Sequence, residues 1–251
     1  MTAHRHSLPL AAAFALWSAA GIATAAPHAG DVQPHGRPGS IGLNDSHFVA
    51  DFGDLPGGPF RTTNPGFDVD VDLGPLGPGN WLRYEVLGTL RFWNGTQWTA
   101  PIGGESFRLD DALGTADPGD DTIVDANGVV AKPTGIVGEI DAGGGLHEHL
   151  TMGLRLANGT LGGALGAYFV SLRLFETLAN DDTALRYSAP FAYVFNRGLS
   201  TDAFNAAVDA APAPVPLPGA LVCAGSAVLA LASRRRRMNP AKVAVAPNGG
   251  R

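Results

Sequence analysis

Cysteine is almost missing from this sequence. The only one, Cys223, lies in an apolar run near the C-terminus, so the body of the chain forms no disulfide and offers no thiolate as nucleophile or metal ligand. Basic residues are scarce as well. Seven of the 17 lie outside residues 26–219 while all 23 acids lie within it, which leaves ten against 23 and a formal charge of −13 on that stretch. Such a polyanion is repelled by nucleic acid and by anionic headgroups. It suits cations, neutral glycans or other proteins. Also missing are a phosphate-binding glycine loop, a Gly-x-Ser-x-Gly elbow and a His-Glu-x-x-His pair, and the scattered acids carry no spacing that marks a glycosidase pair. The chain reads as non-enzymatic.

What is present begins with two hydrophobic ends. His4, Arg5 and His6 precede an apolar run from Leu8 to Ala20, and Ala23-Thr24-Ala25 fits the small-x-small cleavage rule. Residues 1–25 are therefore read as a signal peptide, too short for a comfortable membrane span. At the other end stand Val215-Pro216-Leu217-Pro218-Gly219, an apolar run from Ala220 to Ala232, and Arg234-Arg235-Arg236-Arg237. That run is about long enough to cross only a thin bilayer, and the arginines should stay on the cytoplasmic side. The polar remainder, 238–251, is read as a disordered tail.

The order of proline motif, short apolar segment and basic stop over 215–237 resembles the PEP-CTERM sorting signal of bacterial exported proteins, in its Val-Pro-Leu-Pro variant. Gly219 and the residues after Arg237 depart from the usual pattern. The resemblance implies passage through the general secretion machinery, transient anchoring in the inner membrane, and cutting near Val215 to Pro218 by an exosortase-type membrane protease. The protein would then reach the cell envelope, surface or extracellular matrix.

Between these ends the periodicity predicts an antiparallel β-sandwich over residues 46–210, after a flexible lead-in at 26–45 and before an Ala/Pro spacer at 211–214. Phe48, Ala50 and Phe52 alternate with His47, Val49 and Asp51, and Phe67 to Val71 alternates with three aspartates. The stretch from Trp81 to Trp93 alternates throughout, with Gly88 marking a bulge and Asn94-Gly95 a two-residue hairpin turn. Residues 110–132 read as a long acidic surface excursion. Leu146 to Leu156 and Tyr168 to Leu174 read as two strands of one hairpin joined by the Gly-rich link 158–166. Phe191 to Phe195 is the last strand, and Ser200 caps a short Ala-rich helix reaching about Asp209.

Several residue groups invite a ligand. Asp68, Asp70 and Asp72 copy the start of a calcium loop, but Leu73 and Gly79 break its continuation. Asp117, Asp120, Asp121 and Asp125 form a looser oxygen-rich cluster, so Ca2+ ranks behind Zn2+ as a cofactor. Trp81, Trp93 and Trp98 would suit stacking on a glycan, although packing is the commoner fate of such rings. His147 and His149, two apart on a strand, project from one polar face. Neutral imidazoles in that relation suit zinc or copper, with zinc the favoured ion, and His47 and Asp51 are the leading candidates to complete the site, with Glu148 contributing only if a bulge turns it.

The Trp93-Asn94-Gly95 turn, the His-x-His-Leu strand, the Gly-Ala-Tyr-x-x-Ser-Leu strand and the closing Val194-Phe195-Asn196 also resemble a PEP-CTERM subgroup controlled by the bacterial zinc-uptake repressor. That likeness implies zinc handling outside the cytoplasm and carries over to His147 and His149 only. The expectation is thus an exported metal-binding protein. Its rival is a structural or glycan-binding component of an exopolysaccharide matrix.

Overall fold

The computed structural model describes residues 30–112 and 121–215. The signal peptide, the apolar C-terminal run and its arginines lie outside them. The strands are β1 (His35–Arg37), β2 (Ser40–Gly42), β3 (His47–Asp51), β4 (Arg61–Thr62), β5 (Phe67–Asp68), β6 (Trp81–Trp93), β7 (Trp98–Thr99) and β8 (Ser106–Leu109). They continue as β9 (Thr122–Asp125), β10 (Gly128–Ala131), β11 (Thr134–Glu139), β12 (His147–Glu148), β13 (Met152–Arg155), β14 (Gly166–Thr177), β15 (Ala184–Ser188) and β16 (Phe191–Arg197). A single short helix follows among the described residues, α1 (Thr201–Asp209). No helix among the described residues is long and apolar enough to cross a membrane.

The described residues are mostly β-strand, and β14 is their axis. Along one edge β14 pairs with β6, and along the other with β16 and then β15. Both faces of this strand are covered, which is why Gly166 to Phe175 reads as a nearly unbroken apolar run. Tyr168, Val170, Leu172 and Leu174 face the main core. Phe169 and Ala167 face the other way and pack with Trp93, Ala192, Val194 and Ala207 of α1. The Ser200 side chain accepts the Ala203 N–H and starts the helix where the sequence places it.

A second sheet runs β10-β9-β8-β13-β4. Its inward residues Phe107, Leu109, Val124, Met152 and Leu154 are fully buried in the same core as the β14 face. Phe107 stacks on Phe195 at 5.3 Å between centroids, and the Tyr84 hydroxyl donates to the Leu109 carbonyl at 3.3 Å. Burial, then the electrostatics of nearby aspartates, pushes the Tyr84 phenol well above its ordinary range. Its hydroxyl stays a neutral cross-sheet link.

Several sequence expectations change. The Leu146–Leu156 segment and β14 form no hairpin, because β13 pairs with β8 and β4 while the 158–166 link carries the chain to the other sheet. The excursion at 110–132 contains the β9–β10 hairpin, with Val124 buried. The 67–71 strand shortens to β5. The Asn94 turn is a four-residue loop in which the Asn94 side chain accepts the Thr96 and Gln97 N–H groups. Two pairings, β3 with β16 and β2 with β15, are parallel.

The described part of the stretch read as a flexible lead-in, residues 30–45, is built into the fold. It carries β1 and β2, and Val32 is wholly buried. The spacer is docked too. The Val215 N–H donates to Ser171 Oγ at 3.2 Å, and its side chain covers Gly88 so closely that a Cβ there would stand 2.9 Å from it. The Gly88 bulge itself is as expected, with φ of +72° and a register shift opposite Val170.

Candidate metal site

Where β12 pairs with β5, His147 stands opposite Asp68 and Glu148 opposite Phe67. The alternation that buries Leu146 and Leu150 turns His147 and His149 to the polar side. Their rings lie 5.1 Å apart at 64°. Behind them runs the 30–34 segment, held by a bond from the Val32 N–H to the Gly66 carbonyl and one from the Asp68 N–H to the Val32 carbonyl. That pairing places Asp31 beside the histidines. One ligand atom from each of Asp31, His147 and His149 lies within 4.8 Å of the others, so the three form a group that can hold a metal ion.

The surroundings aim each member. Asp31 is buried and takes the Gly66 N–H on Oδ1 at 2.8 Å, leaving Oδ2 on the histidine side, 3.8 Å from His149 Nε2. His149 Nδ1 lies 3.0 Å from the Thr63 carbonyl, an oxygen that only accepts, so this contact puts the proton on Nδ1 and leaves Nε2 as the nitrogen that could bind a metal. His147 Nδ1 lies 3.5 Å from the buried Asp68 carboxylate. A carbonyl and a carboxylate on the outer nitrogens are the partners that orient metal-bound imidazoles and raise their basicity.

Gly66 completes the cradle. The His149 ring rests on it so closely that a Cβ would stand 2.5–2.7 Å from three ring atoms. The residue before cis-Pro65 is Asn64, whose side chain donates to Asp54 Oδ2 at 2.9 Å, so the 63–66 turn that supplies both the Thr63 carbonyl and Gly66 is itself anchored.

Neither His47 nor Asp51 belongs to this group. The His47 ring packs on the β14 face that carries α1, 6.4 Å from Phe169, and its Nε2 lies 3.1 Å from the Pro212 carbonyl. Asp51 is exposed and lines, with Asp31 and Asp54, a shallow groove of about 340 Å³. Asp31 was invisible to pattern reading, since it lies in a Gly/Pro/His-rich stretch with no apolar period. Its one signal is adjacency to Val32, an isolated aliphatic that the core takes up.

The other suggested ligands have structural work. Asp70 caps its own turn by accepting the Asp72 and Leu73 N–H groups. Asp121 pairs with Arg108, and Asp125 accepts the Asn127 N–H. Asp117 and Asp120 lie outside the described residues. Trp93 is buried, and Trp98 donates from Nε1 to the Ala207 carbonyl at 3.2 Å, so both serve the α1 interface. Of the sorting motif only Val215 is described. Comparison of the chain with protein-family models, with curated proteins and with solved structures finds no match.

Proposed function

We propose that this is an exported, non-enzymatic β-sandwich protein that binds one zinc ion through Asp31, His147 and His149. The observation that carries the reading is the convergence of those three groups, with Asp31 held by the Gly66 N–H, His149 by the Thr63 carbonyl, and His147 Nδ1 3.5 Å from the Asp68 carboxylate. Two imidazoles and a carboxylate are a donor set that zinc accepts at 2.0–2.2 Å. Around a tetrahedral ion, ligand atoms stand about 3.4 Å apart, and the Asp31 Oδ2–His149 Nε2 pair at 3.8 Å is already near that separation. Three protein ligands leave a fourth position for water or an incoming ligand, which fits capture and release better than a structural ion. The signal peptide, the Val215-Pro216-Leu217-Pro218 motif and Arg234 to Arg237 support delivery by the PEP-CTERM route, with an exosortase-type protease as partner and the envelope or extracellular matrix as destination.

The test is zinc titration of the full chain in neutral detergent. One equivalent should bind at neutral pH and be lost in both the Asp31→Ala variant and the His147→Ala/His149→Ala double variant. The affinity should fall on acidification, because protonated imidazole does not ligate. Wild-type affinity in the double variant would refute the site. Retention of that metal-free protein on exopolysaccharide would then favour the matrix-component reading.

A further inference from the structure

The outer face of the five-stranded sheet carries a second concentration of chemistry. Gly153 of β13 is in register with Arg61 of β4 on one side and Arg108 of β8 on the other. Its neighbours Met152 and Leu154 point into the core, so Gly153 faces outward and puts no side chain between the two arginines. Strands lie about 4.8 Å apart, which separates the Arg61 and Arg108 backbones by roughly 10 Å, with the Arg61 stem and the Leu161 side chain lying over the buried Gly153 between them. Arg155, two residues on, shares that face. With Asp110, Thr151 and Leu161 these residues line a cavity of about 180 Å³.

Charge is unevenly answered there. Arg108 is held by Asp110 at 3.1 Å and by Asp121. Arg155 gives Nη1 to the Gly159 carbonyl at 2.7 Å, and Arg61 gives Nη1 to the Pro56 carbonyl at 3.4 Å. Each guanidinium has five N–H donors in a planar fork, so these neutral contacts use a small part of either. Among the described residues, three cations, Arg61, Arg108 and Arg155, stand against two carboxylates, Asp110 and Asp121, a local balance of +1 within a domain that is otherwise strongly acidic. Desolvation, then Arg108, already lowers the Arg155 pKa, so a guest anion would relieve a cost that the fold now carries.

We infer that this pocket binds a single carboxylate group, supplied by a free organic acid or by an acidic sugar residue. The surplus charge matches a monoanion, and the fork of an arginine fits a carboxylate bidentately. The cavity is smaller than the roughly 300 Å³ at which drug-sized pockets begin, so it takes the charged group and leaves the rest of the molecule outside.

Calorimetric titration of the full chain in neutral detergent with galacturonate, galactose, acetate and trigalacturonate tests this. Galacturonate should bind and galactose should not. Arg155→Gln and Arg61→Gln should each weaken galacturonate at least tenfold, Arg155→Lys should bind less tightly than wild type, and the His147→Ala/His149→Ala protein should match wild type. Trigalacturonate at least tenfold tighter than acetate assigns the carboxylate to a polysaccharide, and equal affinity assigns it to free acids. Equal response to galactose and galacturonate, no response to any carboxylate, or undiminished binding by both glutamine variants would overturn the proposal. Arg61 lies on a two-residue edge strand, so its variant keeps the test decisive if Arg155→Gln fails to fold.

Discussion

Replacing Gly66 by alanine probes the proposed metal site without removing a candidate ligand. The φ angle of Gly66 lies outside the left-handed region, so alanine takes the same backbone without strain, and its methyl would stand 2.5 Å from His149 Cε1 and 2.7 Å from Nδ1 and Nε2. Carbon contacts are comfortable at about 3.5–4.0 Å, so the ring must retreat by roughly 1 Å. Zinc sites hold their bond lengths within about 0.2 Å. The displaced ring also loosens its 3.0 Å contact with the Thr63 carbonyl, and disturbing such outer partners typically costs 10–100-fold in metal affinity. Zinc titration should therefore show a loss in that range for Gly66→Ala. The decisive comparison is a double-mutant cycle with His149→Ala. With the imidazole gone, the methyl has nothing to push, and Gly66→Ala should change affinity little further. An equal loss with and without His149 would refute the reasoning, as would wild-type affinity in the single variant.

Two further outcomes follow from other parts of the chain. In the native host, mass spectrometry of the exported protein should find neither the first ~25 residues, as a signal peptide of this size implies, nor Arg234 to Arg237; retention of the arginines would leave a plain anchor. Burial, then repulsion from Asp110, raises the Asp121 carboxyl to about 6 in spite of Arg108. A raised folded-state pKa means that the native protein binds this proton more tightly, so from this group stability falls as pH rises from about 4 to about 6. Asp121→Asn should remove that contribution, worth up to ~3 kcal/mol, as read by denaturant unfolding at pH 4.5 and 7; an unchanged pH slope would count against the assignment.

Sequence pattern was informative where one strand or helix obeyed a single period. The alternation of β6, the Gly88 bulge and the Ser200 cap could all be placed from it. It failed where a strand is two residues long or where the partner is remote. Alternation sets His47 opposite Phe48, but says nothing of which outward face His147 shares. The glycines of 158–166 look the same whether they turn a hairpin or carry the chain between sheets. Two of the three residues of the candidate metal site were legible because a His-x-His spacing is chemistry written in neighbouring residues. Asp31 was not, because it reaches the site through backbone pairing at Val32 and Gly66 rather than through any pattern of its own.

If the chain is anchored through its C-terminal run as proposed, the docked stretch from Pro212 to Val215 would set how far the domain can stand from its point of attachment. The last described contact is the Val215 N–H on Ser171, and the apolar run begins five residues later at Ala220. Fully extended, that interval reaches at most about 18 Å, close to the ~16 Å radius of gyration of a domain this size. On the proposed sorting route the domain would rest against the bilayer with no slack to swing away. Its net negative charge would then press on the anionic headgroups beneath it. Such a leash would store repulsion for as long as the tail stayed intact, and cutting it would let the domain leave without any further push.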